Sequence, residues 1–109
     1  MPIYHIRIMI GEDKVDEFIN TLKPLWFDFM REDGCSNYQI YRELRDERSF
    51  ILTGEYDSQA CLTEHLRSNH FQVLVGAAAV LGQSFKMSLA EVTETGGIEF
   101  ARAQYSTFA

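Results

Sequence analysis

Between Gly34 and Phe71 the chain dictates the order of its elements. Gly34 tolerates a positive φ and stops the helical pattern before it. Asn37 to Leu44 and Phe50 to Tyr56 read as strands, and the charged stretch Arg45 to Arg48 between them reads as a hairpin turn. Ser58 offers its hydroxyl as the cap of a short helix carrying Leu62 and Leu66. Asn69 offers a second cap, to a helix with Phe71, Leu74, Val75, Ala78 and Leu81 on one side.

The flanking segments complete the pattern. Ile3 to Ile10 is an isoleucine-rich strand, and Gly11 breaks it. Glu12 and Asp13 supply acceptors and negative charge where the next helix starts. In that helix Val15, Phe18, Ile19, Leu22, Leu25, Trp26, Phe29 and Met30 recur at three- and four-residue steps, a single apolar stripe. Pro24 lies inside it and cannot donate to the carbonyl of Asn20, so a kink is expected there. Phe85, Met87 and Leu89 alternate with Lys86, Ser88 and Ala90, a fourth strand. Gly96 and Gly97 mark a joint between a domain over residues 1–95 and a tail over 96–109.

Strand, helix, strand, strand, helix, strand is the ferredoxin-like βαββαβ order: an α+β fold with an antiparallel sheet and helices on one face. Ile6, Ile8, Tyr38, Ile40, Leu52, Tyr56, Met87 and Leu89 are expected beneath the helices. His5, Arg7, Gln39, Tyr41, Thr53, Glu55, Lys86 and Ser88, with Met9 and Ile51, fall on the other face. That mixed face is left bare in a single chain, and a second copy related by a two-fold covers it, so a homodimer is expected. The tail, with Phe100, Tyr105 and Phe108, either lies across the partner or frays.

A chain of 109 residues fits one domain. Ten basic against sixteen acidic side chains leave a net charge of −6, which argues against nucleic acid as a partner. Arg42, Arg45 and Arg48 are interleaved with Glu43, Asp46 and Glu47, as in a solvated turn. Cys35 and Cys61 are too few for a disulfide scaffold and read as buried thiols. Met1 to Ile10 lacks the basic and apolar regions of a signal peptide, and Val73 to Leu81 is far shorter than the ~20 residues a bilayer needs. A cytoplasmic protein with no membrane partner is expected.

The residues from about Ile3 to Val92 resemble the antibiotic biosynthesis monooxygenase domain of the dimeric α/β-barrel superfamily. Gly34-Cys35, Tyr38, Tyr41-Arg42, Tyr56 before Asp57-Ser58, His65-Leu66 and Ser68-Asn69-His70-Phe71 carry the resemblance. It implies a ferredoxin-like dimer and admits several activities: quinol and phenol oxygenases without a cofactor, haem degradation, and isomerisation of a phosphorylated sugar. Tyr56 stands where the family usually has tryptophan. Leu52 and Leu62 stand where the polyketide oxygenases carry asparagine and tyrosine. Val75 occupies the place of the axial histidine of the haem-degrading branch, and valine cannot ligate iron.

Of the three histidines, His65 lies at the edge of its helix's apolar stripe, where its ring enters the space between helices and sheet. His70 is expected to be exposed. His65 and His70 have no acid-rich cluster around them, so no metal site is expected. No Rossmann, Walker or nucleophile-elbow pattern occurs, and no cofactor is expected. A cofactor-free oxygenase must favour the ionised phenol of an electron-rich substrate. His65 is the candidate base and Tyr56 its catalytic neighbour. Tyr38 and Arg42 are candidates to steady the phenolate, and Trp26 and Phe29 to sandwich a flat ring. Two other readings fit the same scaffold: a non-catalytic small-molecule binder, and an isomerase of a small phosphorylated carbonyl compound using Arg42 or Arg7. A filled interior between helices and sheet would favour a structural or interaction role.

Overall fold

A computed structural model of the chain describes residues 1–106. The elements run β1 (Pro2–Ile10), α1 (Val15–Met30), β2 (Cys35–Glu43), β3 (Asp46–Tyr56), α2 (Gln59–Arg67), α3 (Asn69–Leu81), β4 (Gly82–Glu91) and α4 (Ile98–Tyr105). The strands form one antiparallel sheet in the order β2-β3-β1-β4. This is the ferredoxin-like α+β arrangement, with the two inner strands drawn from opposite halves of the motif.

The apolar periods close the core as physics requires. Tyr4, Ile6, Ile8 and Ile10 of β1 point under the helices and are fully buried. Ile6 pairs with Leu52 on one side and Met87 on the other. From α1, Phe18, Leu22, Leu25 and Phe29 descend onto them, and Leu74 joins from α3. Gly34, at φ +79°, turns the chain from α1 into β2. The opposite face carries exposed His5, Arg7, Gln39, Tyr41, Lys86 and Ser88, with Met9 and Ile51 half-buried.

Several local expectations are corrected. Ser68, not Asn69, caps α3: its Oγ accepts from the N–H of Phe71 at 3.1 Å. The same hydroxyl donates to the carbonyl of His65 at 2.7 Å, so one serine finishes α2 and starts α3. The N-cap of α1 is Lys14 with no side-chain cap, and the acids of its first turn are Asp16 and Glu17 rather than Glu12 and Asp13. Pro24 lies inside α1 on its exposed side, as does Asn20, whose carbonyl it cannot bond. The hairpin turn narrows to Leu44 and Arg45 between β2 and β3. Leu89, on edge strand β4, is 60% exposed rather than covered by the helices.

The tail forms α4, whose residues are all unburied, with Ile98 67% and Tyr105 75% exposed. Phe108 lies outside the described residues. Among those described, no helix is long and apolar enough to cross a membrane.

Candidate functional site

The centre of the space between helices and sheet is a polar cluster wrapped in rings. Tyr4 on β1, Tyr38 on β2 and Tyr56 on β3 all turn inward, because each occupies the helix-facing phase of its strand. Gly54 pairs with Tyr4 on one side and Tyr38 on the other. Its missing side chain is the space the phenols occupy. His65 enters from α2 and is 2% exposed. Its Nε2 lies 2.8 Å from the Tyr4 hydroxyl, and its Nδ1 lies 2.6 Å from Oε1 of Glu32. The hydroxyls of Tyr4 and Tyr38 are 2.5 Å apart. Tyr56 donates to the same Oε1 of Glu32 at 3.1 Å. Phe29 and Phe71 pack edge-on and tilted against the imidazole, with ring centroids 4.8 and 5.1 Å away.

Burial sets the charge states. It pushes all three phenols well above the ordinary tyrosine range; Glu32 adds to the rise in each, whereas the hydrogen bond with Tyr4 works against it at Tyr38. It lowers His65 from 6.5 to about 4, so the ring is neutral at pH 7. It raises the Glu32 carboxyl, against the hydrogen bond from Tyr56 that stabilises the anion. With Glu32 ionised, one proton placement satisfies every group. His65 carries its proton on Nδ1 and donates to Glu32, Tyr4 donates to Nε2, and Tyr38 donates to the Tyr4 oxygen. No buried side-chain polar atom among the described residues lacks a partner.

Two openings flank this cluster. A groove of about 490 Å³ runs between α1 and edge strand β2. Its walls are Ile19, Leu22, Trp26, Phe27 and Ile40, with Phe50 beneath and Lys23 and Arg42 at the rim. Arg42 donates from Nε to the carbonyl of Glu47 at 2.7 Å and lies 5.4 Å over the Phe50 ring. Trp26 donates from Nε1 to the carbonyl of Tyr38 at 2.7 Å, which fixes the indole as the wall between groove and cluster. On the other side a polar recess of about 510 Å³ is lined by Glu32, Asp33, Cys61, Glu64, His65 and Arg67.

The residues singled out from the sequence thus fall into two groups. His65, Tyr56, Tyr38 and Phe29 come together inside the fold. Trp26 and Arg42 line the groove instead, and Phe29 is shut off from it. His70 is exposed, 3.4 Å from Asp28. Cys35 and Cys61 are free and half-buried rather than buried. Sequence reasoning passed over Glu32, Tyr4 and Gly54. The signal for Tyr4 was its place in the inward phase of β1; nothing local marks Glu32, which reaches His65 across 33 residues. Among the described residues no group of three or more His, Cys, Asp or Glu side chains is placed to hold a metal ion.

The fold and the cluster define a class: a small ferredoxin-like α+β protein with a histidine set among phenols beneath its helices. The chain belongs to the antibiotic biosynthesis monooxygenase family, whose model matches residues 1–77. The candidate monooxygenase YcnE of Bacillus subtilis is 23% identical over 75 residues, covering 69% of this chain and 79% of its own. A candidate antibiotic biosynthesis monooxygenase of Deinococcus radiodurans superposes with a TM-score of 0.83 at 21% identity, covering 90% of this chain and 98% of its own. A single-residue variant of SnoaB, a cofactor-independent oxygenase from Streptomyces nogalater, superposes with a TM-score of 0.76 at 16% identity, covering 86% and 94%. At these identities the superpositions establish the shared fold.

Proposed function

We propose that the chain is a monooxygenase that oxidises an aromatic, quinol-like small molecule without a cofactor. The observation that carries this reading is the groove between α1 and β2. It has the volume for a flat ring system, an indole wall and two cations at its rim. A phenolic ring lies against Trp26, and Arg42 and Lys23 stabilise its ionised form. The phenolate is electron-rich and supplies the electrons that oxygen needs. One oxygen atom enters the ring as a carbonyl and the other leaves as water. His65, neutral and held by Glu32, is the base that draws off the phenolic proton by way of the buried tyrosines, and Tyr56 anchors Glu32 in place. Tyr38 links the groove wall to the base, and Phe29 packs both rings. The cofactor-independent chemistry of the neighbour SnoaB supports the reading.

Oxygen consumption with a panel of reduced quinols tests it. Wild type is expected to consume oxygen, His65→Ala to lose about 10²-fold in kcat, and Trp26→Ala to raise KM. Absence of uptake with every quinol, or full turnover in His65→Ala, would overturn the assignment. The packed interior favours a structural or interaction role, and the groove beside it supports a second reading, a non-catalytic small-molecule binder. Saturable binding of the same compounds without oxygen uptake would select it.

The proposed working unit is a cytoplasmic homodimer. Residues 1–95 form the domain, the open sheet face is the contact, and residues 96–109 pack on the partner. Helix α4 has no burial of its own, which supports such an arm. Sedimentation at micromolar concentration is expected to give twice the chain's mass; a single-chain mass would refute the pairing.

A further inference from the structure

We propose that Tyr4 and Glu32 join Tyr38 and His65 in a relay that moves a proton from the inner wall of the groove to the surface recess at Glu32. Its use in turnover rests on the monooxygenase reading; its existence does not.

Three observations carry it. The hydrogen bonds are continuous: Tyr38 to Tyr4 at 2.5 Å, Tyr4 to His65 at 2.8 Å, and His65 to Glu32 at 2.6 Å. One end opens to water, and the other abuts the groove wall, where the Trp26 indole is tied to the Tyr38 carbonyl. Tyr38, fully buried, accepts no side-chain hydrogen bond on its hydroxyl beyond the Tyr4 contact, among the described residues. It lies one same-face step along β2 from Ile40 of the groove, about 7 Å. Glu32, its side chain 20% exposed, opens into the recess. Finally, the chain is satisfied in one direction with Glu32 ionised and in the other with Glu32 protonated, since each hydroxyl and each ring nitrogen donates in one state and accepts in the other. A cluster serving only to satisfy core phenols needs no carboxylate at the water's edge.

The substrate O–H breaks as a new Tyr38 O–H forms, and the original Tyr38 proton passes to Tyr4. The Tyr4 proton passes to Nε2 of His65, and the Nδ1 proton passes to Glu32, which gives it to water as the imidazole tautomer and the two hydroxyls return to their first placement. One proton leaves the groove, and each phenol stays neutral throughout, which matches their reluctance to ionise. Tyr4 and Glu32 act through His65 and are positioning and proton-carrying residues.

The test measures exchange of the His65 Nδ1 proton with water by ¹⁵N-edited NMR, together with kcat, KM and their pH profiles. Wild type is expected to carry the proton on Nδ1. Glu32→Gln keeps an acceptor oxygen but cannot take up a proton. It is expected to slow exchange at least about tenfold and to lower kcat by a similar factor with KM nearly unchanged. Glu32→Asp retains a carboxylate and is expected to recover part of both. Tyr4→Phe cuts the chain above His65, so kcat falls while exchange stays at the wild-type rate. The acidic limb of the kcat profile is expected to move to lower pH in Glu32→Gln alone, leaving only the protonation of His65. Asp28, Asp33, Glu64, Arg67, Cys35 and His70, which surround Glu32, leave that limb in place when neutralised singly. A ring protonated on Nε2, or exchange unchanged in Glu32→Gln, overturns the relay whether or not any quinol is oxidised. Absence of quinol oxidation in wild type, with exchange slowed in Glu32→Gln, removes the monooxygenase reading and leaves the relay standing.

Discussion

Gly54→Ala is expected to destabilise the fold by about 1–3 kcal/mol, the reverse of what the substitution does in an ordinary strand. Gly54 has no positive φ, so alanine suits its backbone, and the usual outcome is a gain of about 0.4–1 kcal/mol from a stiffer unfolded chain. Here a Cβ would stand 2.5 Å from Cε1 of Tyr4, 3.0 Å from Cε1 of Tyr56 and 3.1 Å from Cε2 of Tyr38. The Tyr4 ring cannot simply yield, because its hydroxyl is held between Tyr38 and His65. The methyl therefore prises the cluster apart or bends the central strands. Urea unfolding measures the loss, and near-ultraviolet circular dichroism reports whether the tyrosines keep their packing. Equal stability of variant and wild type would show that the phenols are not held as described.

Acidification is the second large effect. The folded protein holds His65 at about 4, whereas the unfolded chain takes up that proton near 6.5. Between these values the unfolded state binds more protons, so stability falls as pH falls from about 6.5 to about 4. The full difference is on the order of 3 kcal/mol, a large part of a small domain's stability. Glu32 acts in the opposite sense. Burial raises its carboxyl, so its contribution is complete below the ordinary carboxylate range and is lost as pH rises through the folded value. His65 therefore sets the fall between about 6.5 and about 4, and Glu32 reduces it wherever its own folded carboxyl titrates. His65→Gln removes the titrating ring and is expected to flatten that fall. Parallel profiles for variant and wild type would contradict a neutral, buried imidazole.

The fold was legible because its signals are local. Gly34, Ser58 and the alternating strands each act within a few residues, and the apolar stripe of α1 needs only its own spacing. Ser68 and Asn69 illustrate the resolution of such reading: both are good caps, and only the path of the backbone after His65 selects between them. The site was half legible. His65, Tyr38 and Tyr56 could be placed because inward phase and aromatic character coincide on their elements. Glu32 could not, since an acid just beyond a helix end looks like any solvated residue until α2 folds across it. Gly54 was invisible for a related reason: its role is defined by what three other strand residues project into its space. Trp26 belongs to the stripe by spacing, yet its indole turns to the β2 carbonyl, a choice made by tertiary hydrogen bonding.

That indole has one more consequence. It is the chain's single tryptophan, it lines the groove, and its nitrogen is tethered to the Tyr38 carbonyl. Its emission therefore comes from one fixed place, and any guest seated there alters the colour or brightness of that light directly. The molecule carries its own optical gauge of occupancy, readable without a label.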